Sequence, residues 1–89
     1  MALRILSSPS SPLDLLADLQ RSIEAAIPGA RVEVNPASPG HFEIRVVSEV
    51  FADRSRVQQQ QLVYGAIAHL MKGDAAPVHA IDRLLTETP

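Results

Sequence analysis

The sequence predicts an α+β domain in the order helix, strand, strand, helix, strand, with two helices on one face of a three-stranded sheet. Three observations carry the prediction. Apolar residues recur at helical spacing over 12–27 and again over 56–72. Two runs of alternating apolar and polar residues flank a Pro/Gly-dense turn at 35–40. A further apolar run begins at Val78. With 89 residues, the chain buries only ~60–65% of its unfolded surface, which allows one modest core. The expected organisation is a single domain over 12–89.

The first twelve residues, MALRILSSPSSP, are rich in Ser and Pro, with one arginine and no acid. A transit peptide has such a composition, but the helical pattern starts directly afterwards, so residues 1–11 are expected to form a flexible N-terminal tail. Ser11 then reads as an N-cap, Pro12 as the first helical residue and Asp14 as a first-turn acid. Leu16, Leu19, Ile23 and Ile27 repeat at helical spacing, Asp18, Gln20, Arg21 and Glu24 lie between them, and Pro28-Gly29 stops the helix near residue 27. Arg31-Val32-Glu33-Val34 alternates as a short strand. Asn35 to Gly40 reads as a six-residue loop. His41 to Ser48 alternates again and puts Phe42, Ile44 and Val46 on one face. Together these segments predict an antiparallel hairpin.

Phe51 to Arg54 reads as a connecting turn. Ser55 followed by Gln58 matches a capping box, and a helix over 56–72 ends at Gly73. Val78-His79-Ala80-Ile81, extending toward Leu85, reads as the third strand. Its alternation breaks at Leu84-Leu85, which leaves its buried face open. The run Gln58 to Gln61 sweeps most of a helix circumference. With Val63 centred on the core, Gln58 and Gln61 face outward with Gly65, Ala68 and His69. Gln59 and Gln60 share the inward side, one turn before the core begins. They are either wet side chains overhanging the sheet edge or one wall of a binding groove.

Composition removes several function classes. A hydrophobic fraction of 46% is too high for a disordered chain. Phe42, Phe51 and Tyr64 are the whole aromatic set, so the core must be aliphatic. Without cysteine there is no disulfide and no thiolate catalysis, which fits a reducing compartment; a cytoplasmic location is expected. A net charge of −2 supplies no overall positive field for nucleic acid. No apolar run approaches the ~18–20 residues of a membrane span. The glycines stand singly, so no phosphate-binding glycine loop exists. Carboxylates are scattered and no serine lies in a nucleophile motif, so an enzyme is not expected.

Five pieces occur in a telling order: Gly40-His41-Phe42 leading into Val47-Ser48-Glu49-Val50-Phe51, then Ser55-Arg56-Val57, Leu62-Val63-Tyr64-Gly65 and Val78-His79-Ala80-Ile81. This set resembles the BolA family over roughly residues 13–82. It is most similar to the short bacterial branch, whose second helix carries lysines or glutamines before Val-Tyr-Gly. The resemblance implies a fold like the type II KH arrangement. It also implies binding in place of catalysis: a monothiol glutaredoxin as partner, with roles in iron–sulfur trafficking, iron homeostasis and stress response. In such heterodimers a [2Fe–2S] cluster is held by the glutaredoxin cysteine, glutathione and a BolA histidine. The family's ligand histidine maps onto His79, and no cofactor is expected on this chain alone. A His or Cys that the family places in the hairpin loop has no counterpart in Asn35 to Gly40. Gln59 and Gln60 stand where an arginine and a histidine often occur. His41 is then the weak candidate for a second ligand, and it also reads as a residue that fixes the turn. Apart from the resemblance, His79 at a strand start reads as a hydrogen-bonded surface residue, and His69 as exposed.

The alternative implied by the family is a nucleic-acid-binding regulator of stress response or morphology. Arg54, Arg56 and, less centrally, Arg45 would contact phosphates, with Gln59 and Gln60 beside them as partner or nucleic-acid contacts. Asp53, Glu49 and Glu43 lie among these arginines and no GXXG loop is present, so DNA binding of this kind would be weak and steeply salt-dependent. Family members usually continue past the third strand with Thr-Pro and a short helix, whereas this sequence ends at Thr86-Glu87-Thr88-Pro89. The expectation drawn from that difference is an exposed strand edge and a homodimer through it.

Overall fold

The structure, a computed structural model, describes residues 12–89. The tail expected over 1–11, with its Ser11 cap, lies outside the described residues. The elements are α1 (Pro12–Ala26), β1 (Arg31–Ser38), β2 (His41–Val47), a 3-10 turn (Glu49–Phe51), α2 (Arg56–Met71) and β3 (Ala80–Glu87). The sheet order is β1-β2-β3. β1 and β2 pair antiparallel, whereas β2 and β3 pair parallel. A parallel pair needs a long crossover, and α2 supplies it. α1 packs on β1, α2 packs on β3, and the helices pack on each other.

The hairpin is tighter than the six-residue loop expected from its composition. β1 runs on to Ser38, and Asn35 and Pro36 pair with Glu43 and Phe42. β1 lies at the edge of the sheet, where a proline without an N–H is tolerated. A register shift between Pro36 and Ser38 absorbs one extra residue as a bulge. Only Pro39-Gly40 remains as the turn. Gly40 has a φ of +78°, near the +80° that a type II turn requires after a proline.

β3 starts two residues later than its sequence pattern suggested. Val78 precedes the strand as a core plug, 1% exposed, with its N–H bonded to the Leu70 carbonyl at 3.1 Å. The open question of the β3 face has a physical answer. A register shift opposite Phe42 and Glu43 inserts Asp82 into the strand. Ile81 and Leu84 therefore both pack on the core, while Leu85 joins Glu33, Arg45 and Arg83 around a shallow depression on the open face.

The core is aliphatic with two phenylalanines: Leu15, Leu19, Ile23 and Ile27 from the first helical segment, Phe42, Ile44 and Val46 from β2, Val63 and Ile67 from α2, with Phe51 and Val78. Leu15 takes the buried place expected for Leu16, which is partly buried. Phe51, read from sequence as part of a connecting turn, is fully buried. Ser48 makes this possible. Its hydroxyl accepts from Val50 N at 3.1 Å and donates to the Pro28 carbonyl at 3.1 Å, which caps the 3-10 turn and aims Phe51 inward. Burying such a ring contributes ~1.5–3 kcal/mol. Tyr64, at the margin of the expected apolar arc, is 40% exposed and Val57 is 60% exposed.

Candidate functional site

The parallel register decides what meets at one end of the sheet. His41 pairs with Ala80, so the residue before Ala80 lies beside the residue before His41. His79 and Gly40 thereby become neighbours across the strands. The Gly40 carbonyl accepts two hydrogen bonds, from His79 N at 2.8 Å and Ala80 N at 3.1 Å. The imidazole lies against the glycine: a Cβ placed on Gly40 would stand 2.9 Å from His79 Cγ and 3.0 Å from Cδ2. The His79 side chain is exposed, and among the described residues no side-chain hydrogen bond engages either ring nitrogen. It borders a shallow depression of about 190 Å³ lined also by Met71, Gly73, Asp74, Ala76 and Val78.

His41, the weak second-ligand candidate, is occupied differently. Its Nδ1 lies 2.8 Å from Asp82 Oδ1, and since an ionised carboxylate only accepts, Nδ1 carries the proton of that bond. Asp82 reaches it because the β3 irregularity places this residue out of the regular alternation. A lone accessible imidazole fits one coordination position and no more. Among the described residues no three His, Cys, Asp or Glu side chains converge as a metal site. His69 is exposed, with Nε2 at 3.4 Å from Ser22 Oγ where the helices meet.

The basic turn and the glutamines lie elsewhere. Ser55 and Gln58 form the complete capping box at the start of α2. Arg54 donates from Nε to the Val50 carbonyl at 3.0 Å, and Arg56 is exposed in the first turn of the helix. Gln59 points inward and its amide is fully engaged. Nε2 donates to the carbonyls of Phe51 and Arg54, each at 3.1 Å, and Oε1 accepts from the Thr86 hydroxyl at 2.7 Å. Gln60 is half-buried, while Gln58 and Gln61 are exposed. Thr86 lies six residues along β3 from Ala80, ~20 Å at strand rise. The structure therefore separates the Arg54–Gln59 region from His79 by the length of the sheet. Arg45, on the open face, donates to Glu87 at 2.7 and 3.0 Å and to Glu33 at 3.2 Å. The hydrogen bonds to Glu87, then its charge, with Glu33 adding, hold the Arg45 guanidinium above its ordinary pKa. Two carboxylates thus offset its charge, leaving it poorly suited to a phosphate.

Sequence reasoning did not single out Gly40 or Asp82. Gly40 was legible as a turn glycine, but its contact with His79, 39 positions along the chain, depends on the parallel pairing. Asp82 carries no local signal, because its role follows from the strand irregularity.

Comparison with known proteins follows this geometry. A family model described as BolA-like protein matches residues 19–89. Among solved structures, the chain is similar to a bolA protein homologue from Coxiella burnetii, with 30% identity, a TM-score of 0.67, and coverage of 82% of this chain and 88% of that chain. It is similar to BolA1 from Mus musculus, with 26% identity, a TM-score of 0.67, and coverage of 100% of this chain and 75% of that chain. The BolA domain of SufE1 from Arabidopsis thaliana shares the fold at 24% identity and a TM-score of 0.69, covering 82% of this chain and 89% of that chain. No curated protein matches the sequence. Among the described residues no helix is long and apolar enough to cross a membrane.

Proposed function

This chain belongs to the BolA-like protein family, and from that premise we propose that it is a non-enzymatic partner of a monothiol glutaredoxin, with His79 contributing one ligand to a shared [2Fe–2S] cluster. The observation that carries the reading is the state of His79. Its ring is exposed, its nitrogens are unengaged among the described residues, and its backbone is anchored to Gly40 by paired hydrogen bonds. A single imidazole supplies one ligand beside the glutaredoxin cysteine and glutathione, so the fourth ligand of the cluster comes from elsewhere. One imidazole does not match a cluster held by this chain alone. Histidine in place of thiolate raises the potential of such a centre, which suits sensing or transfer more than low-potential electron transport. His41 is engaged by Asp82.

The test is reconstitution with a monothiol glutaredoxin, iron, sulfide and glutathione, followed by visible circular dichroism. Wild type is expected to give a heterocomplex spectrum distinct from that of the glutaredoxin homodimer, and His79→Ala is expected to lose it. A complex whose spectrum ignores the substitution would move the ligand away from His79. Failure to form any complex would overturn the partnership itself and direct attention to salt-dependent DNA binding around Arg54 and Arg56.

A further inference from the structure

We infer that Gly40 is a positioning residue for the His79 imidazole: the hairpin turn supplies a flat backbone platform that holds the ring in one orientation. Three observations on Gly40 converge. Its φ of +78° lies where side chains are strained. Its carbonyl binds the N–H groups of both His79 and Ala80, at 2.8 and 3.1 Å. Its missing side chain is the space against which the ring rests, since an added Cβ would meet Cγ and Cδ2 at 2.9 and 3.0 Å and the histidine Cβ at 3.3 Å. Carbon atoms in favourable contact sit ~3.5–4.0 Å apart, so a methyl group at residue 40 and the ring in its present place exclude each other.

The other positive-φ glycines show that this is specific. Gly29 and Gly73 have φ of +69° and +82°, and a Cβ on either meets nothing within 4 Å. Those two need only the backbone conformation, whereas Gly40 needs the conformation and the empty volume. The direction of yielding also follows. The turn is tied to His79 and Ala80 through its carbonyl and to the sheet through the pairing of Ser38 with His41. The ring has no hydrogen-bonded tie of that kind and turns about single bonds, so the ring gives way first. An exposed histidine otherwise samples several rotamers. A ring already held against a platform loses less side-chain freedom when it binds. The bearing of this on cluster contact rests on the function proposed above; the positioning itself does not.

The experiment uses the full chain without partner. Nuclear magnetic resonance of labelled protein reports the His79 ring shifts and χ1 couplings, and urea unfolding reports stability, for wild type, Gly40→Ala, Gly29→Ala, His79→Ala and Gly40→Ala/His79→Ala. Gly29→Ala measures the backbone strain alone. Gly40→Ala is expected to move the His79 ring signals and change its χ1 population, while Gly29→Ala leaves both in place. The unfolding midpoint is expected to fall further in Gly40→Ala than in Gly29→Ala, and removing the ring in the double variant should restore part of that loss. If Gly40→Ala does not fold, folding of the double variant supports the inference and its failure to fold overturns it. Unmoved ring signals in a folded Gly40→Ala, or an equal loss with and without the ring, reduce Gly40 to a turn glycine. In the glutaredoxin reconstitution, Gly40→Ala is expected to fall toward the His79→Ala spectrum. If wild type forms no complex there, the functional reading fails while the partner-free result still decides the positioning.

Discussion

The Gln59 amide joins the 3-10 turn at Phe51 and the approach to α2 at Arg54 to the end of β3 at Thr86, which is distant in sequence. Each polar atom of this half-buried amide has a partner, and Thr86, 6% exposed, is satisfied by the same contact. Gln59→Ala removes the partner of the buried Thr86 hydroxyl, while the Phe51 carbonyl keeps the Arg54 N–H, and is expected to cost about 1–3 kcal/mol in urea unfolding. Gln61→Ala, on the exposed side of the same helix, should stay within about 0.5 kcal/mol. Equal effects at the two positions would mean that the amide network contributes nothing. The four glutamines therefore divide by geometry: the sequence separated the inward pair from the outward pair, and only the packed structure supplied Gln59 with partners.

At the scale of the element, α2 is held by its ends and its neighbours more than by its own propensity. The capping box closes its N-terminus, Val63 and Ile67 bury one narrow stripe, and Val78 closes over the last turn through the Leu70 carbonyl. Gly65 works against the helix, since a mid-helix glycine costs ~1 kcal/mol relative to alanine. A Cβ there meets nothing within 4 Å, so no contact in the monomer requires the glycine. Gly65→Ala is expected to stabilise the protein by about 0.5–1 kcal/mol, a rise of about 2–8 °C in Tm. A lower Tm would contradict the open space around this position.

For the molecule as a whole, the margin is small. A chain of this size is stable by only ~4–13 kcal/mol at ~0.05–0.15 kcal/mol per residue, and its core comprises few side chains. Ile67, on the inward face of α2, is fully buried in the core. Ile67→Ala is expected to cost about 2–5 kcal/mol in equilibrium unfolding, through lost burial and the cavity left behind. A loss below about 1 kcal/mol would contradict the packing of α2 on the sheet. At the end of the sheet the anchoring is backbone to backbone, with the Gly40 carbonyl taking the N–H groups of His79 and Ala80.

Periodicity, caps and turn residues carried the number, type and order of the elements, because those depend on interactions within a few residues. The helical stripe of α1, the capping box at Ser55 and the alternation of β2 were all legible on that ground. His79 stood out only through the ordered set of motifs around it. Features set by pairing and packing stayed hidden: the extension of β1 past Pro36, the burial of Phe51, the face of β3, and the contacts of Gly40 with His79 and of His41 with Asp82. The last two depend on the register of strands joined through a long crossover, where a shift of one residue reverses every side chain. Local sequence therefore determined which elements form and which histidine to watch. Tertiary pairing alone decided that a glycine of the hairpin would lie beneath that histidine.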